Sequence, residues 1–552
     1  MFGSGVTDDD PRLAPILGSL DAEQRAAALL PDGPAQIIAP AGSGKTTTLV
    51  ARLAVLLARG VAAERIAVVT FNREAAAELG ARIAARLGPS FPGAESIEVR
   101  TLHAMARQVM IDARGPLDLV ADRSPLLRAA RRRVMAGTDG PGPPDVSVLD
   151  AHLSRAKVEG IAPPSEADAA LDAYRDLLAR RGALDFDDLV TGAATILETD
   201  ATVRGRWQSR FTHLAVDEFQ DVDAAQLRLV RALAGERANL FVVGDDDQTI
   251  YAWRLADVRR ILGFATWYPA TRQVMLATNY RCPPEVVAAG RRLVEHNAER
   301  FAKPIRAGRD GPPDAVGAFS TAVPDWPARL VDLVTHGAAA SERACFLART
   351  RSELVPILVA LARAGVPHHS PVPAPLQAEP VSRLLAELVT LPPARHPFPL
   401  LRALRSQHGW DRASPHDELG DEEHAALDAL LGWSVPYPTV TTFLAGAAQV
   451  RATINRLRRP DARVELLTAH GAKGREWPLV VIVGFEAERF PNRRALRDAH
   501  DPGRALEEER RLAYVAVTRA TRRLVLAFEP AAPSPFLAEM GYRPTSGATT
   551  DR

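Results

Sequence analysis

With 552 residues, the chain is long enough for roughly three to four domains of ordinary size. Its hydrophobic content of 47% and charged content of 24% exclude an intrinsically disordered protein, and two cysteines at unrelated positions exclude a disulfide framework. The formal net charge of +1 does not indicate a polyanionic partner, so any such partner must be recognised by local sites. We expect a cytoplasmic protein, because the acidic N-terminus lacks a signal-peptide core and no apolar run approaches the roughly 18 residues that span a bilayer.

Short apolar runs recur along the chain, and each is followed by a helical pattern. This alternation predicts an α/β protein with parallel sheets covered by helices on both faces. The runs form an N-terminal and a C-terminal group, and we expect the stretches 105–185 and 393–457 to be helical insertions. The predicted strands are Gln36–Ile38, Ile66–Phe71, His213–Val216, Leu240–Val243, Val274–Ala277, Ala344–Leu347, Val464–Thr468, Leu479–Val483 and Leu524–Ala527.

A phosphate-binding loop follows the first predicted strand. Ala39–Thr46 has the P-loop pattern, with alanine in place of its first glycine, and it opens a helix. Gly42 and Gly44 allow backbone N–H groups to close around a phosphate at the positive end of that helix. Lys45 would neutralise the β- and γ-phosphates, and Thr46 would ligate Mg²⁺.

Two carboxylates stand at the end of the strand His213–Val216. Asp217 can ligate the metal ion, and Glu218 can act as the base for the attacking water. Such a pair alone is more often a solvated strand end. In a chain that also contains a P-loop, it predicts nucleotide hydrolysis.

Together with the residues that follow, these motifs resemble superfamily 1A helicases of the UvrD/Rep/PcrA type. The resemblance runs from Leu17 to Leu537, and Gly244–Arg254 is its most diagnostic stretch. The other motifs are Leu17–Gln24, Thr70–Ala76, Thr101–His103, Asp217–Asp221, Asn279–Arg281, Thr468–Trp477 and Glu507–Ala520.

The resemblance implies an α/β fold of two RecA-like P-loop lobes with parallel sheets and a helical insertion in each. ATP would bind between the lobes, which close around it and reopen after hydrolysis. The implied domains are lobe 1A (1–104 and 186–277), insertion 1B (105–185), lobe 2A (278–392 and 458–540), a reduced 2B-like insertion (393–457) and a flexible tail (541–552).

The resemblance also assigns the nucleotide contacts. Gln24 would read adenine and Tyr280 would stack on it, while Glu476 would contact the ribose. Gln248 and Arg281 would reach the γ-phosphate, and Arg519 would be the arginine finger. The implied ATP-site residues are Gln24, Ala39, Pro40, Ala41, Gly42, Ser43, Gly44, Lys45, Thr46, Thr47, Asp217, Glu218, Gln248, Tyr280, Arg281, Glu476 and Arg519.

The implied contacts to single-stranded DNA depend on aromatic faces, on which bases stack independently of sequence. Four of them have a structural alternative: Phe71, Tyr251 and Trp253 can be core aromatics, and His470 can be a buried structural histidine. The implied contacts are Phe71, Thr101, His103, Tyr251, Trp253, Arg254 and His470.

The chain departs from the family pattern in several places. Thr47 stands where an arginine near adenine is often found, Leu255 where glycine is usual, and Arg475 where leucine is usual. The insertion at 393–457 is less than half the length of the regulatory 2B subdomain in many relatives.

The resemblance implies an ATP- and Mg²⁺-dependent 3′→5′ DNA helicase of the bacterial nucleoid. It would act on single-stranded DNA and single-strand/double-strand junctions, with repair or recombination proteins as candidate partners and no membrane. The short insertion leaves open a translocase that strips proteins from single strands without unwinding duplex. An ATP-gated binding scaffold and an RNA motor are further alternatives.

Overall fold

The structure, a computed structural model, describes residues 10–136, 142–236, 238–336, 341–370, 379–411, 419, 421–497 and 499–542. The chain divides into two compact units. The first unit takes the chain up to Ala277 together with Glu299–Pro304, and the second takes Thr278–Ala298 and the chain from Ile305 onward. The predicted tail at 541–552 lies outside the described residues from position 543.

A six-stranded parallel sheet forms the centre of the first unit, in the order β3-β2-β6-β7-β1-β8. Its inner strands are fully buried, as expected for short runs rich in valine, isoleucine and alanine that are covered on both faces. The strands are β1 (Ala35–Ile38), β2 (Ile66–Thr70), β3 (Glu98–Thr101), β6 (His213–Val216), β7 (Leu240–Gly244) and β8 (Arg272–Met275); β4 (Asp118–Leu119) and β5 (Ala183–Leu184) pair separately.

Alternate residues of each strand enter different cores, because side chains in a strand point to opposite faces. Val68 and Ala215 contribute to one core, whereas Val69 and Leu214 contribute to the other. The helices are α1 (Ala14–Leu17), α2 (Ala22–Ala28), α3 (Lys45–Ala58), α4 (Arg73–Leu87), α5 (Leu102–Arg114), α6 (Ser124–Met135), α7 (Val146–Glu159), α8 (Ser165–Arg180), α9 (Phe186–Thr199), α10 (Ala201–Arg210), α11 (Ala224–Ala234), α12 (Val258–Leu262) and α13 (Phe264–Trp267).

The second unit contains another six-stranded parallel sheet, in the order β11-β16-β15-β12-β14-β13. β12 and β15 are its central buried strands. The strands of this unit are β9 (Thr278–Asn279), β10 (Arg306–Ala307), β11 (Val316–Ser320), β12 (Ala344–Ala348), β13 (His368–His369), β14 (Val464–Thr468), β15 (Trp477–Ile482) and β16 (Ala520–Phe528).

Helices surround the second sheet, and one group of four has an apolar core of its own. That group is α17 to α20, whose buried side chains include Leu384, Leu401, Leu427 and Phe443. The helices of this unit are α14 (Pro284–Val294), α15 (Trp326–Thr335), α16 (Val355–Arg363), α17 (Glu379–Leu388), α18 (Pro397–Gln407), α19 (Asp421–Ser434), α20 (Val440–Leu457), α21 (Arg493–Arg497), α22 (Pro502–Val517) and α23 (Pro535–Glu539).

The structure confirms the predicted α/β class and its parallel sheets, and all nine predicted strands are present, with each end within four residues of its predicted position. Two longer strands were not predicted, Glu98–Thr101 and Val316–Ser320, and both lie at sheet edges. None of the helices in the described ranges is long and apolar enough to cross a membrane.

Candidate functional site

The P-loop connects β1 to α3, at the edge of the first sheet where its parallel strands end. Gly42 and Gly44 have φ values of +70° and +79°, in the left-handed region where glycine carries no Cβ penalty. Gly44 is the N-cap of α3, whose first residue is Lys45. A Cβ at Gly44 would lie 2.5 Å from Nε2 of Gln24, so any larger residue here would displace that amide from the loop. The cradle therefore fits a phosphate at a helix N-terminus.

The two predicted carboxylates reach this loop from the end of β6. Lys45 Nζ lies 3.5 Å from Glu218 Oε2. The Asp217 carboxylate accepts a hydrogen bond from the Glu218 N–H at 3.0 Å, and the backbone N–H of Asp217 is bonded to Val69 O. The structure therefore brings Lys45 and Glu218 together, as the motifs predict.

A polar chain links Glu218 to the next motif. Gln220 Nε2 donates to Glu218 Oε2 at 2.5 Å, and its Oε1 accepts from the Asp245 N–H at 3.1 Å. Asp245 Oδ2 in turn accepts from Gln248 Nε2 at 2.7 Å. Gln220 and Asp245 were not among the predicted site residues. Their position inside two quoted motifs was the only signal of this role.

Gln24 is buried against the P-loop. Its Nε2 donates to Ser43 O at 3.0 Å, and its Oε1 accepts from the Asp21 N–H at 3.2 Å as part of a capping box on α2. In this conformation the Gln24 amide braces the loop, while Thr47 beside it is exposed. Ala39 is fully buried and its N–H is bonded to Gly244 O, so alanine fits the first P-loop position.

The predicted Mg²⁺ ligands are Thr46, the second residue of α3, and Asp217. Within the described residues, no cluster of three or more His, Cys, Asp or Glu side chains could hold a metal ion. Mg²⁺ in nucleotide sites is commonly bound by one or two protein groups, with phosphate oxygens and water as its other ligands. One hydroxyl and one carboxylate at a phosphate cradle fit that donor set.

In the second unit, the predicted γ-phosphate residue and the predicted ribose residue contact each other. Arg281 Nε donates to Glu476 Oε2 at 2.5 Å. Asn279 Oδ1 accepts from the N–H groups of Arg281 and Cys282, both at 2.8 Å, which fixes the turn that carries Arg281. Tyr280 is 42% exposed, and its ring lies against Gly308.

Arg519 is almost fully buried in the second unit. Its Nε donates to Val515 O at 2.8 Å, and its Nη1 donates to Arg475 O at 3.2 Å. Its Nη2 donates to Thr518 Oγ1 at 3.1 Å. These bonds give the guanidinium a defined orientation.

Three aromatic side chains lie together in the first unit. Phe71, between the end of β2 and the N-cap of α4, stacks on Tyr251 with ring centroids 4.8 Å apart and planes at 13°. Trp253 meets Tyr251 edge-on at 6.3 Å, and the Arg254 guanidinium lies 4.9 Å from its ring centroid. Trp253 is 68% exposed, which excludes the core alternative for this residue.

Thr101 and His103 have structural contacts. Thr101 Oγ1 accepts from the Ala104 N–H at 3.1 Å and caps α5, and Thr101 is only 8% exposed. The His103 ring packs edge-on against Phe186 at 5.9 Å. Burial lowers the pKa of His103, so its imidazole is neutral at pH 7.

His470 begins a short 3₁₀ turn after β14. Burial, with smaller effects of Arg349 and Lys473, lowers its pKa to about 3. Any contact of this imidazole with a DNA strand is therefore made in its neutral form.

Two departures from the family pattern have local explanations. Leu255 has φ +64°, so it occupies a left-handed position that glycine would occupy without strain. Arg475 forms an ion pair with Glu465, which also accepts from Trp477 Nε1 at 2.8 Å. The Arg475 guanidinium lies 5.0 Å from the Trp477 ring centroid, so the arginine has contacts that leucine would not make.

Comparison with known proteins places these motifs in a family. Residues 20–124 and 149–269 match the UvrD/REP helicase N-terminal domain, and residues 439–529 match the UvrD-like helicase C-terminal domain. The ATP-dependent DNA helicase UvrD2 of Mycobacterium tuberculosis (strain ATCC 25618 / H37Rv) is 32% identical over 93% of this chain and 79% of its own length. The ATP-dependent DNA helicase PcrA of Leuconostoc citreum is 27% identical over 93% of this chain and 82% of its own. DNA helicase II of Escherichia coli (strain K12) is also 27% identical, over 93% and 85%.

Proposed function

Because the chain belongs to the UvrD/REP helicase family, we propose that it is an ATP-dependent DNA helicase that translocates 3′→5′ along single-stranded DNA and separates duplex. One observation carries this proposal. Within the first unit, the hydrogen-bonded chain from Glu218 to Gln248 ends three residues before Tyr251, which begins the exposed aromatic segment. One short segment therefore connects the nucleotide site to the residues that would bind the DNA strand. Through this segment, a change at the nucleotide can alter strand binding.

ATP hydrolysis in this proposal uses a small set of side chains in the first unit. Lys45 neutralises phosphate charge, and Glu218, held 3.5 Å from it, orients the attacking water and takes its proton. Thr46 and Asp217 would hold Mg²⁺, which when bound neutralises charge on the β- and γ-phosphates.

The nucleotide contacts that we propose for the second unit are those that the family resemblance implies. Arg281 would leave Glu476 for the γ-phosphate, which frees the carboxylate to accept from a ribose hydroxyl. Arg519, already oriented by two backbone carbonyls, would stabilise charge on the transferring phosphoryl group. Tyr280 would stack on adenine.

Single-stranded DNA would stack on Trp253 and on the Phe71–Tyr251 pair, with Arg254 close to the backbone phosphates. Sequence-independent stacking suits a motor, because each base presents a π-face. His470 and His103 would add neutral contacts. Thr101 would act through the start of α5, since its hydroxyl already caps that helix.

We propose the domain boundaries that the sequence predicts, and we propose DNA repair or recombination as the cellular process in which the protein acts. The assignments are lobe 1A at 1–104 and 186–277, 1B at 105–185, lobe 2A at 278–392 and 458–540, and a reduced 2B-like insertion at 393–457. Within the lobe 2A range, Glu299–Pro304 groups with the first unit.

A second candidate function follows from the size of that insertion. The helices α18, α19 and α20 are the elements described within 393–457, and α17 packs with them. A small insertion offers less surface for gripping duplex. The alternative is therefore a translocase that removes bound proteins from single strands but unwinds duplex poorly on its own.

The first experiment compares ATPase rates without nucleic acid, with single-stranded DNA and with single-stranded RNA of equal length, using Lys45→Ala as the control. We expect stimulation by DNA that is absent in the control. Absence of stimulation by DNA would refute the motor, and equal stimulation by RNA would refute its DNA specificity.

Duplexes with a 3′ or a 5′ single-stranded tail then test direction and unwinding. We expect strand separation from the 3′ tail. Strand separation from the 5′ tail would instead indicate translocation in the 5′→3′ direction. Displacement of a bound protein without strand separation would favour the translocase.

A further inference from the structure

Lys303 is one of only four lysines among 68 basic residues, and it lies outside the motifs. Its Nζ lies 2.7 Å from Asp245 Oδ1, 2.6 Å from Asp246 Oδ1 and 2.7 Å from Asp247 Oδ2. The side chains of all four residues are 0% exposed. An ammonium between three consecutive carboxylates is thus enclosed at the end of β7.

The chemistry of this cluster requires a lysine. Three buried carboxylates repel one another unless a cation neutralises them. An ammonium is compact and has three donors, one for each carboxylate, whereas a guanidinium is larger and planar. In a chain that uses arginine almost everywhere else, this requirement explains why a lysine is present.

The segment that carries Lys303 is anchored in the first unit at several points. Glu299–Pro304 groups with that unit, although the residues before and after it group with the second. Arg300 donates to both oxygens of Asp247, at 3.0 and 2.9 Å. The Phe301 N–H donates to Asp246 Oδ2 at 2.9 Å. Removing Arg300 therefore perturbs the Asp247 side of the cluster.

Lys303, in contrast, contacts the carboxylate that holds Gln248. Asp245 accepts from Lys303 through Oδ1 and from Gln248 Nε2 through Oδ2, both at 2.7 Å. The backbone N–H of Asp245 is bonded to Gln220, which is bonded to Glu218. Asp245 thus lies where the Lys303 cluster meets the catalytic network.

We propose that Lys303 is a positioning residue for ATP hydrolysis, which fixes Asp245 and through it holds the Gln248 amide in place to respond to the γ-phosphate. This inference rests on the proposed function, since Gln248 needs a positioned side chain only if the chain hydrolyses ATP. Displacement of a catalytic group by about 1 Å can cost about 100-fold in rate.

The test compares Lys303→Gln with Arg300→Gln in the full chain. Both variants remove one cation from the aspartate cluster, but only the first removes the contact to Asp245. We measure kcat and KM for ATP with saturating single-stranded DNA, together with the melting temperature. We expect Lys303→Gln to lower kcat about 10- to 100-fold with little change in KM, and Arg300→Gln to lower the melting temperature while kcat stays near that of wild type.

A second pair of variants separates positioning from folding. Asp245→Asn keeps the shape of the side chain but turns one acceptor into a donor, so it cannot accept from both Lys303 and Gln248. We expect it to lower kcat as Lys303→Gln does. In a Gln248→Ala background, neither change should lower kcat further, whereas loss through general destabilisation would add to the loss from Gln248→Ala.

Equal kcat losses in Lys303→Gln and Arg300→Gln would overturn the proposal. If Lys303→Gln does not fold, a normal kcat in Asp245→Asn would overturn it in the same way. A wild-type chain without DNA-stimulated ATPase would instead refute the proposed function and this inference with it.

Discussion

Trp253 offers a test of the DNA surface, because its ring is exposed where a core tryptophan would be enclosed. It is 68% exposed, and its ring contacts are an edge-on approach to Tyr251 and the guanidinium of Arg254. We predict that Trp253→Ala weakens binding of single-stranded DNA with little loss of stability.

The expected free-energy changes distinguish a loss of DNA binding from a loss of protein stability. Removing one base–aromatic stack costs about 1–3 kcal/mol, which raises Kd about 5- to 150-fold. The covered third of the Trp253 ring corresponds to about 80 Å² of the roughly 250 Å² that a large aromatic can bury. At about 25 cal/mol per Å², its loss destabilises the fold by at most about 2 kcal/mol. Trp207, which is 2% exposed, should cost about 3–5 kcal/mol when replaced by alanine.

The assay is fluorescence anisotropy with a labelled oligonucleotide at fixed salt, combined with thermal unfolding of each variant. Trp253→Phe serves as the control that retains an aromatic face, and Trp207→Ala as the reference for a core tryptophan. An unchanged Kd for Trp253→Ala would refute stacking at this position. A melting temperature as low as that of Trp207→Ala would show that the effect arises from folding.

Three further predictions concern the first unit. Glu218→Gln should retain ATP binding but lose turnover by about 100-fold or more, and retained steady-state ATPase would remove Glu218 as the base. Gly44→Ala should weaken ATP binding, because its Cβ would lie 2.5 Å from Gln24 Nε2 and would displace that amide from the P-loop. Gly60→Ala, with φ +83° but no atom within 4 Å, should cost only about 1 kcal/mol of stability, and equal ATP affinities would refute the steric argument. Burial raises the pKa of Asp223 to about 6, so the stability it contributes is present below about pH 4 and is lost as pH rises through about 6. Asp223→Asn keeps the side-chain oxygen that caps α11, and it should make the melting temperature less dependent on pH between about pH 4 and pH 6. A pH dependence equal to that of wild type would contradict this prediction.

The sequence predicted buried strands better than edge strands, for a physical reason. Ile66–Thr70 and His213–Val216 are covered on both faces and read as continuous apolar runs. Glu98–Thr101 and Val316–Ser320 lie at the edges, are mostly half-buried, and include charged, glycine and alanine residues that disfavour a strand assignment.

Motif spacing predicted the catalytic pair but not the network behind it. A strand followed by a P-loop and a strand followed by two carboxylates must meet at one sheet edge, and Lys45 lies 3.5 Å from Glu218 there. The contact between Lys303 and Asp245 joins residues 58 positions apart, and no local pattern encodes it. Lysine rarity was the only sign that Lys303 was special.

Backbone strain occurs at Glu218, where the hydrogen-bonded chain to Gln248 begins, and at Leu255, directly after the aromatic segment that follows Gln248. Glu218 has φ +52° and Leu255 has φ +64°, a conformation that costs a residue with a side chain of the order of 1–2 kcal/mol. Hydrogen bonds retain both: the Asp217 carboxylate holds the Glu218 N–H at 3.0 Å, and Arg260 Nη1 donates to Leu255 O at 2.6 Å. At Glu218 the strained backbone keeps the carboxylate at Lys45. At Leu255 the same conformation turns the chain directly after the aromatic segment. Glu218 and Leu255 are two of five described non-glycine residues with positive φ, the others being Ala238, Asp314 and Glu488, and they are the two that lie where ATP chemistry and strand contact are proposed.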